Sequence, residues 1–295
     1  MAVGRGDLSH RVLICFSDLD RAQARLLERA WPAISEPNRV RLIQALDELG
    51  ETSIQHNFSR VYRIGLRDAD DQVRQRAIAA LWEEESTGLI DELIALLSDQ
   101  SQDVRAEAAR ALGAFAVRCE AGDLPDADGD RLFKVLHHLA ADAHESVLVQ
   151  RRALESLAAF GKRSEVRRLI ADAFEHDDQL LRAGALFAMG RSLDQRWFNT
   201  LLSELGSDDP EMRYEAARAC GEFADSRAVD GLARLTSDPD AEVRAAAIDA
   251  LVKIGSPGSV RVLRRLAERA SDDEQAALLD AIEQISSMES DDQLG

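Results

Sequence analysis

Apolar and small residues recur along most of the chain at the spacing of one helical face. Segments such as VRQRAIAAL, VRAEAARAL and VRAAAIDAL carry alanine four positions after the first valine and leucine eight positions after it. Positions four and eight residues apart lie on the same side of an α-helix. The pattern therefore predicts a series of similar amphipathic helices and no sheet.

This helix pattern occurs eight times. Its first position, called the reference position, falls at Asn38, Val73, Val104, Val149, Leu181, Met212, Val243 and Glu274. An apolar residue seventeen positions after five of these references indicates a second helix in each copy: Ile90, Val166, Phe198, Val229 and Val260. One helix pair cannot bury its apolar face alone, so the copies are expected to stack into an α-solenoid.

An arginine follows the reference position in six of the eight copies. These residues are Arg39, Arg74, Arg105, Arg182, Arg213 and Arg244. Asp68, Asp99 and Asp238 each lie five residues before a reference. Acids and arginines repeated in register predict a structural ladder of ion pairs and carbonyl contacts between neighbouring copies. The alternative interpretation is a row of phosphate-binding arginines.

The copies resemble HEAT repeats, specifically the short bacterial and archaeal kind first associated with phycobilin lyases. The resemblance covers residues 37–286 and depends on the D...VRxxAxxAL pattern. It implies an all-α fold, a right-handed superhelix of about seven to eight helix pairs. It also implies that second helices line the concave side and that macromolecular binding is the usual function.

Three further segments complete the predicted organisation. Residues 1–36 form an N-terminal segment with a capping helix, and residues 287–295 are a polar, acidic tail that we expect to be disordered. One repeat interval is longer than the others and predicts an acidic, exposed loop insertion near 119–132. Residues 37–286 hold the repeat array.

The chain has a formal net charge of −18, from 54 acidic and 36 basic residues. Nucleic acids and anionic membranes select basic surfaces, so the charge argues against both as partners. Residues 68–147 are the most acidic part, with 18 acidic and 7 basic residues. We therefore expect a protein partner with a basic segment.

The cysteine pattern and the apolar runs of the sequence indicate the cellular compartment. Cys15, Cys119 and Cys220 form no CxxC pair, so neither a disulfide framework nor a zinc knuckle is indicated. The apolar run Val12–Phe16 is too short for the core of a signal peptide, and no apolar stretch is long enough to cross a bilayer. These features predict a cytoplasmic protein, which we expect to be a monomer.

No motif for catalysis or cofactor binding is recognised. Deoxyhypusine hydroxylases, which belong to the same repeat family, place His-Glu pairs directly after the VR dipeptide to hold two irons, and no copy here has such a pair. The string DADGD at Asp126–Asp130 lacks acids at two positions that an EF-hand needs, where Leu124 and Val135 stand. His144 and His176 occupy equivalent turns and are expected to substitute for the ladder aspartates. We predict no catalytic residue, no metal and no cofactor.

The resemblance implies where a partner docks. Residues that follow the buried second-helix position, together with Trp197 just before Phe198, are expected to face the concave side and bind the partner: Asp91, Glu92, Arg167, Arg168, Trp197, Asn199, Asp230, Arg234, Arg261 and Arg265. Their charges change from acidic to basic and then mixed, which would orient an elongated partner. The sequence thus favours a non-catalytic protein-interaction scaffold. The alternative is an enzyme or chaperone similar to phycobilin lyases, in which Trp197, Phe198 and Tyr214 would surround a tetrapyrrole. A third possibility, a HEAT-like DNA glycosylase, is disfavoured because the middle copies are acidic and such an enzyme needs a basic groove.

Overall fold

The computed structural model describes residues 8–52 and 55–292, and all regular structure in that part of the chain is helical. The predicted all-α fold of paired helices is therefore confirmed. The chain divides into two compact units, Met1–Ser156 and Leu157–Gly295. Within the described ranges, no helix has both the length and the apolar character needed to span a membrane.

The N-terminal unit holds the first three repeats and begins the fourth. Its helices are α1 (His10–Leu13), α2 (Arg21–Ala30), α3 (Glu36–Thr52), α4 (Ser59–Gly65), α5 (Asp71–Ala79), α6 (Gly88–Leu96), α7 (Gln102–Ala121), α8 (Asp126–Ala141) and α9 (Val147–Leu157), which ends at the boundary. First helices α3, α5 and α7 pack in sequence, and α4, α6 and α8 are their second helices.

The C-terminal unit continues the array. Its helices are α10 (Ser164–Phe174), α11 (Gln179–Ser192), α12 (Phe198–Glu204), α13 (Pro210–Phe223), α14 (Val229–Leu235), α15 (Ala241–Ile254), α16 (Pro257–Ala267) and α17 (Asp272–Asp292). First helices α11, α13 and α15 pack against one another in sequence, and α10, α12, α14 and α16 are second helices. Short 3-10 turns precede α12 and α14.

Small residues let neighbouring first helices approach closely. A Cβ atom added to Gly190 would lie 2.7 Å from the Cβ of Ala219, and one added to Gly221 would lie 3.0 Å from the Cα of Ala250. Both alanines stand seven residues after their references. The helix spacing in this unit therefore depends on residues with little or no side chain.

Aspartates in the turns before the first helices cap those helices. Asp209 accepts hydrogen bonds from the backbone N–H groups of Glu211 and Met212. Asp240 accepts the equivalent bonds from Glu242 and Val243. These bonds satisfy donors that have no partner inside the helix and place negative charge at its positive end.

The structure corrects the predicted exposed loop over 119–132. Helix α7 continues to Ala121 and α8 begins at Asp126, so only four residues connect them. Gly122 ends α7 with a left-handed φ of 83°, and Asp126 lies in the first turn of α8. The glycine and the acids that suggested a loop serve instead as helix ends, and the extra residues lengthen both helices.

The end of the chain also differs from expectation. The disordered tail was predicted from residue 287, but the backbone of α17 remains helical to Asp292. Residues 293–295 of that predicted tail lie outside the described residues.

Candidate functional site

The repeated arginines of the N-terminal unit contact both their own repeat and the next one. Arg74 binds both carboxylate oxygens of Asp99, at 2.8 and 2.7 Å, and also donates to the carbonyl of Asp68 at 2.9 Å. Arg105 binds both oxygens of Glu145 in the same way, at 2.8 and 2.6 Å. Each guanidinium therefore connects two turns that precede successive first helices.

The first member of the series forms a buried cluster. Arg39 donates to Asp68 at 2.9 Å and to the carbonyl of Ile34 at 2.7 Å. Trp31 donates from its indole N–H to the same aspartate at 2.5 Å. The carboxylate of Asp68 thus accepts hydrogen bonds from residues that follow the capping helix α2. These bonds connect the end of that helix to the second repeat.

The C-terminal unit repeats the arrangement with variations. Arg213 binds both oxygens of Asp238, at 2.8 and 2.9 Å, and this lowers the pKa of the aspartate. Arg244 donates to the carbonyls of Asp238 and Pro239, and Arg182 lies over the ring of Phe174 at 5.8 Å. The contacts predicted for the ladder are therefore present at several levels. At Arg182, Ser207 stands where the acid of the next turn would be.

The predicted substitution of histidine for aspartate fails at His144, whereas His176 makes the local backbone contact of a ladder aspartate. The carboxylate that binds Arg105 is Glu145, and His144 beside it is exposed. His176 accepts a hydrogen bond from the backbone N–H of Asp178 through Nδ1 at 2.9 Å. Among the described residues no three His, Cys, Asp or Glu side chains are grouped so that they could hold a metal ion.

The acidic residues predicted to face a partner are neutralised within the N-terminal unit. Glu92 forms ion pairs with Arg63 at 3.0 Å and with Arg67 at 3.1 Å. Asp91 pairs with Arg131 on α8. These acids join second helices to their neighbours, so little of their charge is available to a partner.

Four arginines on the second helices of the C-terminal unit behave differently. The buried residues of α16 are Ser259, Leu263 and Ala267, and its arginines occupy the opposite, exposed stripe. Helix α14 packs beside α16 and adds one more exposed arginine. None of the four has an ion-pair partner among the described residues. We call this surface the arginine face: Arg234, Arg261, Arg264 and Arg265.

The other predicted binding residues have mixed surroundings. Arg167 lies 3.0 Å from Asp194, whereas Arg168 is exposed and has no ion pair within the described ranges. Trp197 is half-buried, and its buried indole N–H has no hydrogen-bond acceptor in the described part of the chain. The remaining two, Asn199 and Asp230, are exposed.

The aromatic residues considered for a tetrapyrrole serve other contacts. Phe198 is 1% exposed and packs against Phe223 with ring centroids 5.3 Å apart. Tyr214 lies under the guanidinium of Arg218 at 5.5 Å. No ring contact between Tyr214 and Phe198 occurs among the described residues, so the structure does not bring these rings together as walls of one pocket.

Comparison with known proteins agrees with this architecture. One chain of the complex of CpcE and CpcF of phycocyanin lyase from Nostoc sp. PCC7120 is similar over 91% of this chain and 96% of its own length, with 17% identity and a TM-score of 0.57. An engineered protein is similar over 67% of this chain and 96% of its own length, with 24% identity and a TM-score of 0.44. No curated protein sequence matches the chain.

A family model provides the assignment. The model for HEAT repeats matches residues 62–138 and 198–283, which together make up more than half of the chain. The matched ranges contain several of the paired helices and four of the six repeated arginines described above. The chain belongs to the HEAT-repeat family.

Proposed function

We propose that this protein is a non-catalytic scaffold that binds an acidic segment of a partner protein on the arginine face. The observation that carries the proposal is the presence, on two adjacent second helices, of four exposed arginines that have no ion pair with any described residue. Several other arginines are held in bidentate pairs or carbonyl contacts, as Arg213 is. Unpaired guanidinium groups on one surface are suited to bind carboxylates of another protein.

Charge distribution favours a protein over a nucleic acid. Residues 148–295 contain 28 acidic and 19 basic residues, so the arginine face is a local positive area within a negative surface. A short acidic peptide can contact the arginines alone. A long polyanion would extend over the surrounding acids and be repelled by them.

The acidic residues that the sequence predicts at one end of the docking surface, Asp91 and Glu92, are not part of this proposal. Asp91 and Glu92 already have arginine partners, and displacing those partners would offset most of the gain from a new contact. The concave placement of second helices comes from the family resemblance and remains part of the proposal. The proposal also includes that the protein acts in the cytoplasm as a monomer and needs no cofactor.

An enzymatic role similar to that of a lyase has less support. The similarity to the phycocyanin lyase chain concerns the fold, at 17% identity. Phe198, one of the residues considered for a bilin pocket, is a core residue, and Tyr214 is covered by Arg218. A bilin added to the purified protein should therefore show no change in absorbance.

Fluorescence anisotropy with the full chain tests the proposal. The probe is a fluorescein-labelled helical peptide of glutamate, leucine and alanine, measured at two salt concentrations. We expect the Arg261→Glu, Arg265→Glu variant to lose about tenfold or more in affinity and most of its salt dependence. Equal binding by wild type and variant would contradict the proposal, as would tighter binding of a DNA duplex than of the peptide.

A matched variant controls for net charge. The Arg25→Glu, Arg29→Glu variant reverses two exposed arginines of α2 and so changes the net charge by the same amount as Arg261→Glu, Arg265→Glu. It should leave peptide affinity unchanged. Arg264 and Arg265 lie in the last turn of α16, where positive charge also stabilises a helix. Circular dichroism of each variant therefore shows whether the helix content is kept.

A further inference from the structure

A cleft of about 560 Å³ lies in the N-terminal unit between the end of α3, the start of α4 and the turn after α5. We call it the Trp82 cleft. Phe58, Tyr62 and Leu81 form a buried floor, and Trp82 stands beside them with 64% of its surface exposed. A tryptophan this exposed next to a cleft is an unusual use of a large apolar side chain.

The second repeat differs from three other copies at the position of Trp82. Gly113, Gly190 and Gly221 occupy the ninth position after their references, where an added Cβ would lie within 3.0 Å of the next first helix. The second repeat has Trp82 at this position. Its first helix α5 ends six residues after the reference, whereas α11, α13 and α15 each continue for eleven. The cleft lies beside this early end of α5.

Four carboxylates line this space. Asp47, Glu51 and Glu83 form no ion pair with any described residue, and Glu84 lies 3.8 Å from Arg63. Burial raises the pKa of Asp47, and the neighbouring charges of Glu51 and Glu48 raise it further, although Arg76 acts in the opposite direction. A cation in the cleft would relieve this repulsion.

A tyrosine hydroxyl also lines the cleft. The ring of Tyr62 is buried in the floor, and its hydroxyl has no hydrogen-bond partner among the described residues. A phenolic hydroxyl can both donate and accept a hydrogen bond, so it can contact a ligand in the cleft. His56 is the one lining residue in the described part that can carry positive charge, and its ring packs beside Phe58 at 5.8 Å.

The space continues on both sides of the cleft. One adjoining depression, of about 330 Å³, shares Asn57, Ser59 and Glu84 with it. Another, of about 390 Å³, shares Trp82 and Glu84 and extends to Phe115. Such a series of depressions accommodates an extended chain better than a compact small molecule.

We propose that the Trp82 cleft binds an extended, arginine-containing segment of a partner protein, with one guanidinium group stacked on the indole ring of Trp82. A guanidinium presents a flat face to the ring while its edge donates to carboxylates and to the Tyr62 oxygen. Lysine has no such flat face and is a weaker match. The cleft lies in a different unit from the arginine face, so this inference does not depend on the proposed function.

The test uses the full chain and a short fluorescein-labelled peptide of alternating arginine and serine, followed by fluorescence anisotropy. We expect saturable binding, a loss of about tenfold in Trp82→Ala, and nearly full affinity in Trp82→Phe. Glu51→Gln should weaken binding several-fold and reduce its salt dependence. Because Trp82 is exposed, its replacement should leave the circular dichroism spectrum unchanged.

Matched controls make the outcome decisive. Glu120→Gln removes an exposed acid of α7 outside the cleft and should bind like wild type. The matching lysine peptide should bind several-fold more weakly than the arginine peptide. Unchanged affinity in Trp82→Ala, equal affinity for the lysine peptide, or displacement of the peptide by an equal concentration of spermine would each overturn the inference.

Discussion

Arg213 on α13 donates two hydrogen bonds to the carboxylate of Asp238, from Nε at 2.8 Å and from Nη2 at 2.9 Å. The aspartate also accepts a hydrogen bond from the backbone N–H of Asp240, the residue that caps α15. One side-chain pair thus connects a first helix to the cap of the next. Because stacked repeats are coupled mainly to their neighbours, such pairs determine how strongly adjacent copies cooperate.

Removing one such arginine should loosen a single junction. We expect Arg105→Ala to cost about 2 kcal/mol, because Glu145 loses both of its guanidinium bonds. Hydrogen exchange should increase first around residues 99–105 and 145–150. Arg110→Ala is the control, since Arg110 pairs with Glu107 on its own helix and should cost far less. If Arg105→Ala left melting and hydrogen exchange unchanged but abolished binding of a partner, the repeated arginines would be a binding surface and not a structural ladder.

The ion pair also predicts a pH dependence of stability. Arg213 lowers the pKa of Asp238 below its ordinary value of 3.8, so the folded state holds this proton less tightly than the unfolded state does. Its contribution is therefore present above pH 3.8 and is lost as the pH falls through the folded pKa. The difference in unfolding free energy between wild type and Asp238→Asn should shrink on acidification. Arg213→Met should remove the same pH-dependent component, and a constant difference would contradict this assignment.

The end of α13 contains a strained residue that can be improved. Ala224 has a left-handed φ of 49°, whereas Gly255 holds the equivalent position after α15 with a φ of 59°. Glycine adopts this conformation without a Cβ penalty, so Ala224→Gly should stabilise the protein by about 1 kcal/mol. Ala277→Gly, inside α17, should destabilise it by a similar amount. Thermal melting distinguishes the two, and a lower melting temperature for Ala224→Gly would refute the argument.

Repeated features were accessible to sequence reasoning because each copy supplies the same evidence again. The helix pairs and the capping aspartates Asp209 and Asp240 follow from periodicity and local chemistry. The connection between α7 and α8 was misjudged because Gly122 and the acids after it are common both in loops and at helix ends. Only the backbone conformation separates the two cases.

Charge pairing across neighbouring helices was not predictable from the chain alone. The partners of Glu92 and Asp91 lie 29 and 40 residues away, at Arg63 and Arg131. The Trp82 cleft did leave a signal, because three other copies have glycine where this copy has tryptophan. A comparison of the ninth position in every copy singles out Trp82. The open space beside this residue is visible only in the folded structure.

The most direct test of the scaffold proposal is a charge-swap measurement on the arginine face. The Arg261→Glu, Arg265→Glu variant is titrated with the glutamate peptide and with a peptide in which lysine replaces each glutamate. The proposal predicts that wild type prefers the glutamate peptide and that the variant prefers the lysine peptide, with both preferences weakened by salt. If wild type and variant show the same preference, the arginine face is not the docking surface.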